Sequence, residues 1–290
     1  MINNPIETIK NSLFRLNAFI HYKRKGGKKL NPPDGYKRVF YDDFSDKLNK
    51  DEWRLGQAWG NFHPYDLDQH YDTEGKETYI SKGHELVLEL RHRPLDVIKS
   101  DLPDWRQNPD LPDEFTIPYA VGLVSTKQHW QWGWFSAEIK LPRGKSLWPA
   151  FWLSGENYWP PEIDIFEAYS KNTEDYTTRF LFKKRPNCKI QPNLHWGVVE
   201  DDTKEMWGAY DVPVYNATER FVQYACHWTK DFIKIYYDGV KVFETKDKRV
   251  LNWFNRDGAS QVMILNNGVD DTTIPSESAM VVKNISVYQK

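Results

Sequence analysis

From Tyr36 to the C-terminus, apolar positions fall in short runs that alternate with polar ones or are dense in β-branched and aromatic residues. Lys37–Tyr41, Leu86–Leu90, Trp134–Leu141, Phe232–Tyr237, Val240–Glu244, Val262–Leu265 and Val281–Tyr288 read this way, with turn residues between them. A period of two places alternate side chains on one face, so each run predicts a strand with one side against a core. Asp238-Gly239, between two of the runs, predicts a two-residue hairpin turn because both residues tolerate positive φ. Long helical patterns with caps are missing here. So many strands in one domain of about 255 residues predict an all-β fold, two packed antiparallel sheets in a sandwich or jelly roll. No internal repeat interrupts that reading.

The first 30 residues have a different rhythm. Ile6, Ile9, Leu13, Leu16 and Ile20 recur at spacings of three and four, a helical stripe. Gly26-Gly27 breaks the pattern, and Pro32-Pro33-Asp34-Gly35 reads as the turn that opens the main domain. The chain therefore divides into a tail with helical character, 1–30, and a main domain, 31–290. Two heptads leave three readings open for the tail: a helix docked on the domain, a weakly ordered segment, or a short coiled-coil tag.

Composition narrows the function. The 290 residues include 13 Trp, 16 Tyr and 15 Phe. Indole rings suit sites with an apolar face and a polar edge, which is what a pyranose offers to a binding cleft. A net charge of −2 argues against nucleic acid, and the one basic run, Lys23 to Lys29, is interrupted by glycines and reads as a solvated linker. No stretch reaches the ~20 apolar residues of a membrane span, and the N-terminus lacks the pattern of a signal peptide. Cys188 and Cys226 show no metal or redox spacing, and sequence does not say whether they pair. The eight His residues form no metal motif, and no nucleophile elbow or phosphate-binding loop is present.

The chemistry concentrates between Trp134 and Ser170. Trp148-Pro149-Ala150-Phe151-Trp152 is followed by a turn-rich loop and then by Glu162-Ile163-Asp164-Ile165-Phe166-Glu167. In a regular strand Glu162 and Asp164 share a face while Glu167 points the other way. One extra residue near Ile165-Phe166, a β-bulge, shifts the phase so that all three acids face one side. Paired carboxylates are what glycoside hydrolysis needs: one attacks the anomeric carbon and one protonates the leaving oxygen. On this reading Glu162 is the nucleophile, Glu167 the general acid/base and Asp164 the group that tunes the nucleophile. A retaining reaction wants the two carboxyl groups ~5–5.5 Å apart. A flat strand would hold their α-carbons ~13 Å apart, so a curved, twisted sheet is required. Trp148 and Trp152, four residues apart and leading into the acid strand, are candidate cleft walls.

At these residues the chain resembles glycoside hydrolase family 16, in the bulged Glu-x-Asp-x-x-Glu form of its signature. Val39-Phe40-Tyr41-Asp42-Asp43-Phe44, Gly133 to Pro142, His195-Trp196, Trp228, Ile264-Leu265-Asn266 and Val287-Tyr288-Gln289 follow the same family order. The resemblance implies a jelly roll with a cleft across a concave sheet and retaining endo-cleavage of a β-linked glucan or galactan. It implies that Glu162, Asp164 and Glu167 take the catalytic places and that Trp148, Trp152 and His195 bind a polysaccharide substrate. It also implies an extracellular or periplasmic setting. Three departures stand out. Leu123 follows Gly122 where laminarinase-like members often carry Arg, and Glu77-Thr78 replaces a usual Asn. Lys283 stands near the place of an Asp that holds a structural calcium, so no metal or cofactor is expected. A non-catalytic glycan-binding module on the same fold is the alternative reading.

Overall fold

The computed structural model describes residues 9–290 apart from 11, 15, 19, 21–27, 59, 63–66, 105–108, 156–157, 171–187, 198–204, 208–211, 213 and 271–273. Among the described residues, seventeen strands run through the main domain: β1 Lys37–Asp42, β2 Trp53–Leu55, β3 Gln69–Tyr71, β4 Thr78–Ile80, β5 Leu86–Ile98, β6 Glu114–Val121, β7 Leu123–Thr126, β8 Gly133–Lys140, β9 Ala150–Ser154, β10 Glu162–Ser170, β11 Cys188–Trp196, β12 Glu205–Trp207, β13 Val222–Trp228, β14 Ile233–Tyr237, β15 Val240–Thr245, β16 Val262–Asn266 and β17 Ser278–Gln289. They form a ten-stranded sheet, β15-β14-β13-β8-β17-β5-β6-β3 with β1 and β4 attached, and a seven-stranded sheet, β12-β11-β10-β9-β16-β7-β2. Every pairing is antiparallel except β3 with β6. This is the two-sheet sandwich that the alternating runs predict, with each of those runs found as a strand.

The core lies between the sheets because each sheet buries one face. Phe151, Leu153, Ile163, Phe166, Met263 and Leu265 of the smaller sheet meet Leu86, Leu88, Phe135, Ile139, Tyr224 and Ile285 of the larger one, all fully buried. Each such side chain contributes about 1.5–3 kcal/mol relative to an exposed position. Asp238 and Gly239 turn β14 into β15 with φ of 47° and 77°, the left-handed pair that a tight hairpin needs. Cys226 is a free, buried thiol on β13; the side chain of Cys188 is outside the described residues.

Among the described residues of the main domain, the one α-helix escaped the periodicity. The helix Lys248–Asn255 is only eight residues long, capped by the Asp247 side chain accepting from the Arg249 N–H, and it buries Val250, Leu251 and Phe254. Two turns give too short a pattern to stand out among strands. In the tail, the described residues between 9 and 20 are helical. Ala18 on that helix is buried in the main core, whereas Ile9, Leu13, Leu16 and Ile20 are exposed. The stripe therefore faces away from the domain.

Candidate active site

The three acids depend on the irregularity in β10. Against β9, Asp164 pairs with Trp152 and Phe166 with Phe151, so one residue on β10 has no counterpart. Against β11, the register jumps between Asp164–Asn193 and Glu167–Gln191 in the same place. Ile165 has no register partner on either side; its carbonyl accepts the Tyr237 hydroxyl from the larger sheet at 2.9 Å. Ile163, Ile165, Phe166 and Ala168 all enter the core. Glu162, Asp164 and Glu167 consequently share the opposite face, as the phase argument expects.

Cross-strand partners lie on one face, so the register also says what surrounds the acids. Asn193, Asp164, Trp152, Ile264, Ser125 and Arg54 form one row across the smaller sheet. Gln191, Glu167, Ala150, Asn266 and Leu123 form the next. Toward β16 and β7 this face is apolar and covered: Leu123, Val262 and Ile264 are buried with Tyr71, Leu90, Val121, Leu147 and Val269, and Trp152 packs against them. The Leu123 departure thus has a structural consequence. At Leu123 this chain seals the sheet with hydrocarbon.

Around Glu162, His195 Nε2 lies 3.3 Å from Glu162 Oε1 and 3.2 Å from Asp164 Oδ2. The Trp159 indole N–H donates to Glu162 Oε2 at 3.0 Å. Burial, then the charge of Asp164, push the Glu162 carboxyl well above the usual carboxylate range, while His195 and the Trp159 bond act in the other direction. Donor atoms of Glu162, Asp164 and His195 lie within 4.8 Å of one another, the one set among the described residues spaced to hold a metal ion. Lys283 lies on β17 with its ammonium 6.0 Å from the Phe221 ring centroid.

Glu167 is held differently. Its Oε1 accepts the Trp148 indole N–H at 3.1 Å and the Tyr169 hydroxyl at 2.6 Å. Asn193 Nδ2 is 3.5 Å from Oε2 and 3.1 Å from His195 Nε2, and so joins the two carboxylate environments. Trp148 and Tyr169 stack at 5.5 Å with a 22° interplanar angle. Burial and the neighbouring Glu167 raise the Tyr169 hydroxyl far beyond its ordinary range, which keeps it a donor. Trp152 donates to Asn266 Oδ1 at 2.8 Å rather than to an acid.

All six residues singled out from sequence therefore meet on one face. Three others at the site were missed. Tyr169 lies two positions after Glu167 and Asn193 two before His195, so simple alternation marks both. Trp159 sits in the proline-rich loop before β10 and carries no periodic signal.

A β-sandwich presenting paired, buried carboxylates among indole rings defines a glycoside hydrolase. The chain belongs to the glycosyl hydrolases family 16, whose profile matches residues 67–273. It is 27% identical to a glucan endo-1,3-beta-glucosidase of Cryptopygus antarcticus over 75% of this chain and 73% of that protein. It is 24% identical to a beta-glucanase of Rhodothermus marinus over 83% of this chain and 77% of the relative. Among solved structures, one from work on endo-acting O-glycanases that human gut microbes express to initiate mucin breakdown superposes with a TM-score of 0.68. That likeness is at 23% identity, covers 90% of this chain and 93% of the other, and shows the shared fold. The protein is an endo-β-glycosidase of this family.

Proposed function

We propose that the protein is a retaining endo-hydrolase of β-1,3-linked glucan, with Glu162 as nucleophile and Glu167 as general acid/base. The observation that carries the reading is the contrast between the two carboxylates on one face of β10. Glu162 is set beside a second acid and an imidazole, whereas Glu167 is set beside two neutral donors. Two carboxylates in different surroundings on one face can divide two roles between them, and Glu162 takes the attacking one by its place in the bulged family signature. The glucan assignment follows the two curated relatives named above. An extracellular or periplasmic setting, as the family resemblance implies, suits this reading.

In the first step Glu162 Oε attacks the anomeric carbon and the glycosidic oxygen takes the proton of Glu167, giving a glycosyl ester and a free chain end. Water, deprotonated by Glu167, then cleaves that ester. Because Tyr169 and Trp148 occupy Oε1, Oε2 is the oxygen left to carry the proton. Asp164 and His195 keep Glu162 oriented. Trp148, stacked on Tyr169, offers an aromatic wall to the sugar beside the acid.

The test is product analysis on laminarin, lichenan, agarose, porphyran, κ-carrageenan and mucin, with NMR of the first anomer released. Laminarin oligosaccharides appearing first as β-anomers support the reading. Early α-anomers overturn the retaining step, and products from another polymer alone overturn the glucan assignment.

Two substitutions probe the roles. Tyr169→Phe removes one charge-assisted bond to Glu167 and is expected to lower turnover of the polymer about tenfold or more. An aryl glycoside with a good leaving group should be much less affected, because its departure needs little acid assistance. Equal losses on both substrates would show that Tyr169 serves the fold or the nucleophile instead. His195→Ala removes the group that opposes the upward shift of Glu162. Glu162 then ionises at higher pH, so the acid limb of the kcat/KM profile is expected to move upward. An unmoved limb with reduced kcat would leave His195 a sugar-binding residue only.

A further inference from the structure

We infer that the N-terminal helix is an interfacial anchor whose exposed apolar stripe docks on an anionic lipid bilayer. At about 100° per residue, Ile9, Leu13, Leu16 and Ile20 fall within about 60° of arc, and Phe14 and Ala18 lie about 130–170° from its centre. The structure matches that wheel. Ala18 is buried in the core and Lys241 of β15 stands 5.2 Å from the Phe14 ring centroid, while the four stripe residues are 41–61% exposed. The helix is thus held by one face and presents hydrocarbon on the other.

Charge selects what that hydrocarbon meets. Between Thr8 and Pro33 the chain carries Lys10, Arg15, the Lys23-Arg24-Lys25 triplet and Lys28-Lys29, and no acidic residue. With seven of its 39 basic residues there and all 41 acidic ones elsewhere, the remaining chain has 32 against 41, a formal −9. Such segregation of charge marks contact with a polyanion. A second copy of this segment would bring like charges together. A nucleic acid would satisfy the cations but leave the stripe in water. An anionic bilayer satisfies both, since apolar burial and headgroup attraction act together on amphipathic basic helices.

The attachment is fixed to the side of the molecule that carries no chemistry. Leu30 exchanges two hydrogen bonds with Gln223 of β13, at 2.8 and 2.9 Å, and Lys29 pairs with Glu138 of β8. These strands belong to the larger sheet, whereas the acids lie on the outward face of the smaller one. A bilayer at the stripe leaves the acid face free for polymer.

Flotation of the full chain with phosphatidylcholine vesicles, with and without phosphatidylglycerol, tests the inference. Binding is expected to the anionic vesicles only. Replacing Lys23, Arg24 and Lys25 with Ser should weaken it about a hundredfold. The variant Ile9→Ser, Leu13→Ser, Leu16→Ser should abolish it, with glucan hydrolysis in solution unchanged. Preserved hydrolysis shows the stripe variant to be folded, and failure here leaves the enzymatic assignment untouched. Equal binding to neutral vesicles overturns the inference, as does binding retained by the stripe variant. A dimer in sedimentation velocity, or capture of an oligonucleotide, without vesicle binding also overturns it.

Discussion

Glu162→Gln is expected to abolish hydrolysis of the polymer and leave the sandwich folded. The amide is nearly isosteric with the acid and can still accept the Trp159 N–H, but it cannot form the glycosyl ester. The loss should be roughly 10⁴-fold or more in kcat/KM, about 5.5 kcal/mol of barrier. Its effect on stability has the opposite sign. Burial and Asp164 hold the folded-state carboxyl above its unfolded value. Folding therefore favours the protonated form, and that stabilisation is complete at pH below the unfolded value and is lost as pH rises through the folded one. The amide has no charge to acquire, so the variant should gain on the parent in melting temperature as pH increases. Reducing-end assays with melting curves at pH 5 and pH 8 check both halves. Undiminished turnover would sink the nucleophile assignment. Loss of the cooperative melt would make Glu162 a structural residue.

Gly122→Ala is expected to damage the fold more than any cleft substitution. Gly122 joins β6 of the larger sheet to β7 of the smaller one. A β-carbon there would lie 2.5 Å from the Glu77 carbonyl oxygen and 2.8 Å from the Leu88 α-carbon. Both contacts are backbone, so no side chain can rotate away. The backbone cannot withdraw cheaply either. Glu89 N–H donates to that same Glu77 oxygen, Gly122 N–H donates to Glu89 and Asn267 N–H donates to Gly122, at 2.7, 2.7 and 3.1 Å. Relieving the clash means stretching these bonds or shifting a packed strand, a penalty of about 3 kcal/mol or more. The midpoint of thermal unfolding should fall by roughly 6–10 °C for a chain of this size. An unchanged midpoint would mean that the corner is free to open.

The sequence made the architecture visible because a strand that buries one face writes its period into the chain. The acid face was visible for the same reason. Glu162, Asp164 and Glu167 cannot share a side without an extra residue, and Ile165-Phe166 supplies it. Other features depend on information that periodicity does not hold. Whether the two glutamates approach is a matter of sheet curvature, which no local pattern encodes. Tyr169 and Asn193 stood at the right parity but among residues of ordinary type, whereas Trp159 reaches Glu162 across a loop. The tail shows the limit clearly: spacing gave the stripe its angle, and only packing could show that Ala18, not Leu13, turns inward. Leu123 was noticed as a departure, yet its effect, sealing the sheet beside Trp152, required the register of four strands.

The bulge in β10 also sets how this site can change in length. A pleated strand keeps count only in odd and even, so losing one residue ordinarily sends every side chain beyond it to the wrong side. At Ile165, which has no counterpart on either neighbour, that rule is suspended. Removing it restores plain alternation with Asp164 and Glu167 still on one side and Ala168 still inward. A regular Glu-x-Asp-x-Glu strand and this longer, bulged one would therefore be two spellings of the same surface. An insertion or deletion can pass between them at this single address without inverting the chemistry, and nowhere else along the strand.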